Sequence, residues 1–588
     1  MKRAALLLLT LIGGWLLTGV LVAGPASAHA ELESTNPESG ARVATEPSDV
    51  TLHFSEGVSV GAGYARVLDS HNARADAGAP SVDGDVLTIP LRSDLADGGY
   101  LVTYRVISAD SHPVAGSFSF VVGNGKLLGA DAASQGSATD PGVSAALPVA
   151  RWIGFAGISL ALGLPVFLLV CWPAGWTSAR LRRLTVWGAG AVAVGAVASF
   201  LVQGPYAAGS GLGSVFDSAL LEATAASGFG LVTIVRAVLA LAFLVVVGRA
   251  WREPSPPAWF APVAGVLGLG LVVTTAAVGH PVAGPWPGLA LPVTVVHVAA
   301  MAVWMGGLTG LLVGVLRPGV PAGDLGVALP RYSRIAFSSV IALVVTGIVQ
   351  AVREVGSPAA LVSTEYGWLL VAKLLVVAVI LAAAGVSRVW VQQHLGVQRP
   401  RPGGGRRVTA HAFAAEAGSD VEDPVVDERV KVQAVAAADQ LPSFRRSVLV
   451  ELLLALVVLG ITSVLVGSPP AESTLAQPVD VTLPLQGGSG SSGSVQVSVD
   501  PARPGANTLH VYLFDANGQL TQPAQISVTL ADPEQQIGPM DVALQPAGPG
   551  HYIDEAMVIP SAGTWTLAVN VRVDEFTART ASTKFSVR

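Results

Sequence analysis

Tyr100-Leu-Val-Thr-Tyr-Arg-Val-Ile-Ser-Ala-Asp-Ser-His-Pro-Val-Ala-Gly-Ser-Phe-Ser-Phe-Val-Val122 alternates large apolar and small polar residues, the period-2 signature of a half-buried strand. Tyr100, Val102, Tyr104 and Val106 carry the first run, and Phe118, Phe120 and Val122 the second. Upstream, Val50, Leu52 and Phe54 alternate with Thr51, His53 and Ser55 in the same way. Gly, Pro, Asp and Asn separate such runs, so residues 29–123 read as a small all-β barrel or sandwich.

Before this domain, Met1-Lys2-Arg3 and an apolar stretch from Ala4 to about Ala23 precede Ala26-Ser27-Ala28, a small-x-small cleavage pattern. Residues 1–28 are therefore expected to be a signal peptide, with His29 as the mature N-terminus.

After it, the text changes character. A Gly/Ala/Ser-rich linker (124–144) leads into apolar segments at about 147–171, 184–205, 229–249, 258–279, 290–316, 334–353, 367–391 and 446–467. Each is near the ~20 residues that cross a bilayer as a helix. Over the whole chain of 588 residues only 13% are charged. The mean hydropathy is +0.58, whereas soluble domains carry about 25% charged residues. Arg180, Arg182 and Arg183, then Arg249 and Arg252, then Arg317, Arg331 and Arg334, and finally the loop 392–445 fall in alternate connections. With the first β-domain outside, these are the cytoplasmic ones. A bundle of about eight helices (145–468) then returns the chain to the outside. There, residues 469–588 revert to alternation, as in Val495, Val497 and Val499 or Trp565, Leu567, Val569 and Val571. The expected architecture is a multidomain membrane protein, with a second small β-sandwich after the helices.

The donor set narrows the chemistry. The single cysteine, Cys171, excludes a disulfide framework or a Cys-based zinc site. Asp110 and His112 are two apart, so on a strand both would project from one face. A free His29 would add an amine and an imidazole, and Glu56 offers a further carboxylate; two or three nitrogens with an oxygen suit tetragonal Cu(II). Within the helices, His297, Met301, Trp304, Met305 and Leu308 share one stripe, and His280 ends the preceding helix at the same side. Imidazole and thioether suit copper, including Cu(I), so these residues sketch a metal pathway. Against that stands plain packing, with His297 hydrogen-bonded to a neighbouring helix. Lys373, Glu451 and Arg151 are read as charges that pair and hold the bundle together, and Gly306-Gly307 as a site of close helix packing. His510, Met540 and His551 could furnish one more metal site.

His29-Ala-Glu-Leu-Glu-Ser-Thr-Asn-Pro-Glu-Ser-Gly, Leu52-His-Phe-Ser-Glu56 and Ser108-Ala-Asp-Ser-His-Pro-Val-Ala-Gly116 resemble the copper resistance protein CopC, in order and over the whole outer domain. The resemblance implies a cupredoxin-like β-barrel that binds Cu(II) through His29, Asp110 and His112, with Glu56 as an additional ligand. No methionine lies between His29 and Val122, so the second, Met-rich Cu(I) site of some members is not expected. Ala277-Val-Gly-His-Pro281 and His297-Val-Ala-Ala-Met-Ala-Val-Trp-Met-Gly-Gly-Leu308 resemble CopD, its polytopic partner, and the C-terminal domain weakly resembles YtkA-like β-domains.

No P-loop, P-type phosphorylation sequence, His-Glu-x-x-His or nucleophile elbow occurs, so neither an ATP-driven pump nor a hydrolase is expected, and a net charge of -6 gives no reason for nucleic-acid partners. The expected function is copper transport across the cytoplasmic membrane, as import or homeostasis, with Cu(II) captured outside and passed to the bundle. The alternatives are a membrane-anchored sequestering protein for copper resistance, or a metallochaperone serving an extracytoplasmic copper protein.

Overall fold

The structure, a computed structural model, describes residues 30, 32–128, 140–281, 286–317, 320–356, 358, 360–395, 441–471, 479–486, 493–500, 502–516, 518–533, 535–573 and 577–587. The expected signal peptide, His29 and most of the loop 392–445 lie outside the described residues.

The outer domain is a sandwich of two four-stranded sheets. One has the order β1 (Leu32–Asn36), β3 (Asp49–Phe54), β6 (Val86–Pro90), β5 (Ser81–Asp83); the other runs β2 (Arg42–Val43), β8 (Pro113–Val122), β7 (Gly98–Ser108), β4 (Val58–Asp69). Alternation decides which face is buried: Val50, Leu52 and Phe54 are enclosed, while His53 between them is exposed. They pack against Val102, Val106, Phe118 and Phe120 from the other sheet. β7 and β8 are antiparallel neighbours, paired from Gly98–Val122 to Ile107–Pro113.

The helical part consists of α1 (Pro141–Val170), α2 (Ala179–Ala208), the short α3 (Ser218–Ala226), α4 (Gly228–Ala250), α5 (Phe260–Ala276), α6 (Pro287–Gly310), α7 (Ala322–Val355), α8 (Ala360–Ser363), α9 (Glu365–Leu395) and α10 (Leu441–Leu465). Seven of these are long and apolar enough to cross a membrane, and α5 is a shorter apolar helix. α1 starts inside the stretch read as linker, because Asp140 caps it by accepting hydrogen bonds from the Gly142 and Val143 N–H groups. α9 and α10 likewise extend into the ends of the segment read as a loop.

α6 is the most enclosed of the spans. It crosses α1 at Gly163 and Gly306, where a Cβ on Gly163 would come within 2.7 Å of the Gly306 Cα. The small-residue reading of Gly306-Gly307 holds: Gly306 meets the α1 backbone, and Gly307 accommodates the Tyr332 ring. The reading of the charges does not. The Glu451 carboxylate accepts a hydrogen bond from Ser387 (2.6 Å) on α9, so a hydroxyl, not Lys373 or Arg151, satisfies it.

The C-terminal domain is a second sandwich. A five-stranded sheet has the order β14 (Gln545–Gly548), β15 (His551–Ile559), β11 (Gly505–Phe514), β10 (Ser494–Asp500), β9 (Val479–Pro484); the facing sheet runs β13 (Ile537–Val542), β12 (Gln525–Asp532), β16 (Gly563–Arg572), β17 (Ala578–Val587). Val495, Val497, Val499, Trp565, Leu567 and Val569 fill its core, as their alternation requires. The two β-domains touch: the Tyr512 hydroxyl donates to the Ser39 carbonyl. They therefore sit at the same end of the bundle.

Candidate metal centre

Asp110 and His112 are neighbours for a reason the spacing argument missed. They lie not on a strand but in the β7–β8 turn, where Ser111 takes a left-handed φ of 73°. The turn is cinched by the Ser111 N–H donating to Ser108 O and the Ser108 N–H donating to His112 O, both 2.9 Å. Asp110 accepts from the His112 backbone N–H (3.1 Å), an Asx-type turn. Its second oxygen lies 2.9 Å from His112 Nδ1. Both side chains are enclosed, with Asp110 at 1% and His112 at 4% exposure.

Beneath this turn stands His280, in the segment that leaves α5. Gly279, at φ 76°, turns the chain there, and Arg353 Nη2 donates to the His280 carbonyl at 3.1 Å. The His280 and His112 rings are 5.4 Å apart. One ligand atom each from Asp110, His112 and His280 lie within 4.8 Å of one another, and all three residues are buried. A carboxylate and two imidazoles at this spacing can share one divalent ion.

Hydrogen bonds made by two side chains, Gln203 and Arg105, hold the outer domain over His280. Gln203 Nε2 of α2 donates to the Ser111 carbonyl at 3.0 Å. Arg105 Nε donates to Ala207 O (2.6 Å) and Nη2 to Tyr206 O (3.0 Å), so one guanidinium satisfies the last carbonyls of α2, where the helix dipole favours a cation. A cavity of about 340 Å³ opens beside the site, between Ser108–Ser111 and Ala277–Val278.

Glu56 borders the cluster and accepts a hydrogen bond from the Ala109 backbone. Burial and the neighbouring Asp110 charge push its carboxyl up to about 7. The folded, metal-free protein therefore keeps the proton in a range where the unfolded chain, at an ordinary carboxyl value near 4.5, has lost it. The stability due to this group is full below 4.5 and is lost as pH rises through 7. Melting of the metal-free protein between pH 5 and 8 should fall more steeply in the wild type than in Glu56→Gln; equal slopes would contradict this environment for Glu56.

The remaining sequence candidates divide. The Thr346 hydroxyl donates to Ala342 O (2.5 Å), so its lone pair receives His297 Nδ1–H (2.8 Å), leaving His297 Nε2 as the free ring nitrogen. Met301 and Met305 turn instead toward Ser159 on α1, whose hydroxyl lies 3.1 Å and 3.8 Å from the two sulfurs. His280, read as ending its helix at the same side as His297, is placed with Asp110 and His112. In the C-terminal domain His510 and His551 meet, while Met540 sits on β13 of the opposite sheet. The sequence reading missed Arg353, Glu354 and Tyr366. Arg353 Nη1 is 3.9 Å from Glu354, and the Tyr366 hydroxyl donates to Glu354. The adjacent Arg-Glu pair closing an apolar run was the signal that marks them.

These features define a multi-pass membrane protein with two β-sandwiches at one end and an Asp–His–His cluster where the first meets the helices. The chain belongs to the copper resistance CopC/CopD family, as a fusion of the two. The CopC domain profile matches residues 32–123, the copper resistance protein D-like N-terminal domain matches 139–289 and copper resistance protein D matches 326–419. The copper transport protein CutJ of Bacillus subtilis (strain 168) is 25% identical over 387 residues, 63% of this chain and 70% of that protein. Copper resistance protein C of Escherichia coli is 35% identical over 119 residues, 18% of this chain and 94% of its own length. Among solved structures, CopC from Methylosinus trichosporium OB3b is 31% identical, covering 16% of this chain and 93% of that one with a TM-score of 0.15.

Proposed function

We propose that the protein imports copper through the cytoplasmic membrane, taking Cu(II) at the outer domain and passing it to the helical bundle. The observation that carries this reading is the meeting of Asp110 and His112 with His280, ligand atoms from both domains within 4.8 Å. An ion bound by the turn can then exchange one ligand at a time onto the bundle without entering water. Asp110 and His112 hold the ion, with His29 and Glu56 completing the outer set, and His280 is the receiving ligand. Deeper in the membrane His297 Nε2, followed by the Met301 and Met305 sulfurs, offers further nitrogen and thioether ligands for the ion. Arg353, through the His280 carbonyl, positions the receiving residue. In this orientation both β-domains face outward.

Cellular copper, measured by mass spectrometry at limiting supply, tests the reading. Cells with the intact protein should accumulate more copper than cells without it. His280→Ala should remove at least most of that gain while the purified variant still binds Cu(II). Equal accumulation by intact and His280→Ala protein would leave a tethered copper binder, and lower copper with the intact protein would reverse the direction to efflux.

A further inference from the structure

On the C-terminal domain two other histidines stand side by side. β11 and β15 are antiparallel, with Tyr512 opposite His551 and His510 opposite Ile553, so His510 is the diagonal neighbour of His551 on one sheet face. Leu509, Val511 and Leu513 take the opposite face into the core. His510 Nδ1 lies 3.1 Å from His551 Nε2, and the rings are nearly parallel, 14° apart. Tyr512 stacks on His551 at 4.3 Å and is itself pinned by its hydroxyl donating to Ser39 O, so the His551 ring is braced from behind. On the other flank the cross-strand partner is Gly548, where even an added Cβ would meet only the His551 Cβ. Gly548 thus places no side chain beside the two imidazoles.

We propose that His510 and His551 form a second copper site, in the C-terminal domain, that binds Cu(II) through His510 Nδ1 and His551 Nε2 with water completing the shell. An ion about 2.0 Å from each nitrogen would see them at roughly 100°, the angle of adjacent ligands in a tetragonal or tetrahedral shell. The angle excludes a linear two-coordinate Cu(I) site. In the metal-free protein the pair shares one N–H···N hydrogen bond; when the ion takes its place, that proton moves to the other nitrogen of the same ring, so each imidazole stays neutral and presents a lone pair to the ion. Among borderline divalent ions, Cu(II) binds such nitrogens most strongly. The site lies on the same seam as the outer domain, because the Tyr512–Ser39 contact joins the two.

The test uses the full chain in detergent, titrated with Cu(II) by equilibrium dialysis and read by electron paramagnetic resonance. The wild type should bind one equivalent more than His510→Gln, and a His112→Ala protein should retain a Cu(II) signal with two-nitrogen hyperfine structure that His112→Ala/His510→Gln lacks. His510 is on the outer face of its sheet, so His510→Gln should melt as the wild type does. Equal stoichiometry in wild type and His510→Gln, or no residual Cu(II) signal in His112→Ala, would overturn the proposal. These readouts are independent of uptake, so they stand whether or not the protein imports copper.

Discussion

Gly306→Val should abolish folded protein in the membrane. At this crossing a Cβ on Gly306 would overlap the Ser159 carbonyl oxygen and the Gly163 Cα, and these are backbone atoms of α1 that cannot rotate aside. Helices in a bilayer gain little from the hydrophobic effect against each other, so close van der Waals contact carries most of their association. Overpacking a core usually costs about 1–3 kcal/mol by displacing side chains; here both helices must separate along their length, so the cost should exceed that range. The affected pair is also the scaffold of Met301 and Met305, which face Ser159 across the same crossing. Size-exclusion chromatography of detergent-extracted protein should show the monodisperse peak lost in Gly306→Val. Gly460→Val serves as control, since nothing lies within 4 Å of a Cβ there. A monodisperse Gly306→Val protein melting like Gly460→Val would refute this account of the crossing.

Asp110→Ala should lower Cu(II) affinity at the outer site by about 100-fold or more and loosen the turn that carries it. Metal affinity falls about 10–100-fold when a residue that merely orients a ligand is lost. Asp110 both orients His112, through Nδ1 and the backbone N–H, and offers its own oxygen. Its removal strands the buried His112 backbone N–H, at about 1–3 kcal/mol, whereas the Ser108 hydroxyl keeps the His112 carbonyl as acceptor. Asp110→Asn separates the two effects. The amide oxygen can keep the backbone hydrogen bond and so the turn, but it lacks the charge an ion needs. Chelator competition should therefore find weak binding in both variants, with melting restored only in Asp110→Asn. Unchanged affinity in Asp110→Ala would remove Asp110 from the ligand set.

Much of the architecture was legible because it is written locally. Val495-x-Val497-x-Val499 can bury one face only as a strand, and seven of the eight apolar stretches form helices long enough to cross a bilayer, the stretch at 258–279 forming a shorter one. The Asp110–His112 pair was legible for an incomplete reason. Strand periodicity suggested a shared face, whereas the pair is made by a turn whose left-handed Ser111 no alternation pattern encodes. The third member was not legible at all. His280 is 168 positions from His112, and their encounter depends on how one domain seats on another through Arg105 and Gln203, which no local pattern reports. For His297 the alternative reading, a hydrogen bond to a neighbouring helix, describes its contact with Thr346; that Thr346 is the partner, and that the two sulfurs face Ser159, was set by tertiary packing. In the C-terminal domain, pairing register alone separates His510 and His551, which meet, from Met540, which is in the other sheet.

The seating of Arg105 on the last carbonyls of α2 has one more consequence. A relative such as copper resistance protein C of Escherichia coli matches the outer domain along 94% of its own length. As a separate molecule, such a domain would have to find a membrane partner by diffusion, at whatever abundance the two happened to share. Tethering alone raises the local concentration of one part around another to the millimolar range. Here the guanidinium, fixed to Tyr206 and Ala207, also removes the orientational search. The proposed relay would then proceed at a rate independent of expression level, set by ligand exchange and not by encounter. Grafting a foreign outer domain onto these helices would preserve the tether but lose that advantage unless it also brought an arginine to the end of α2.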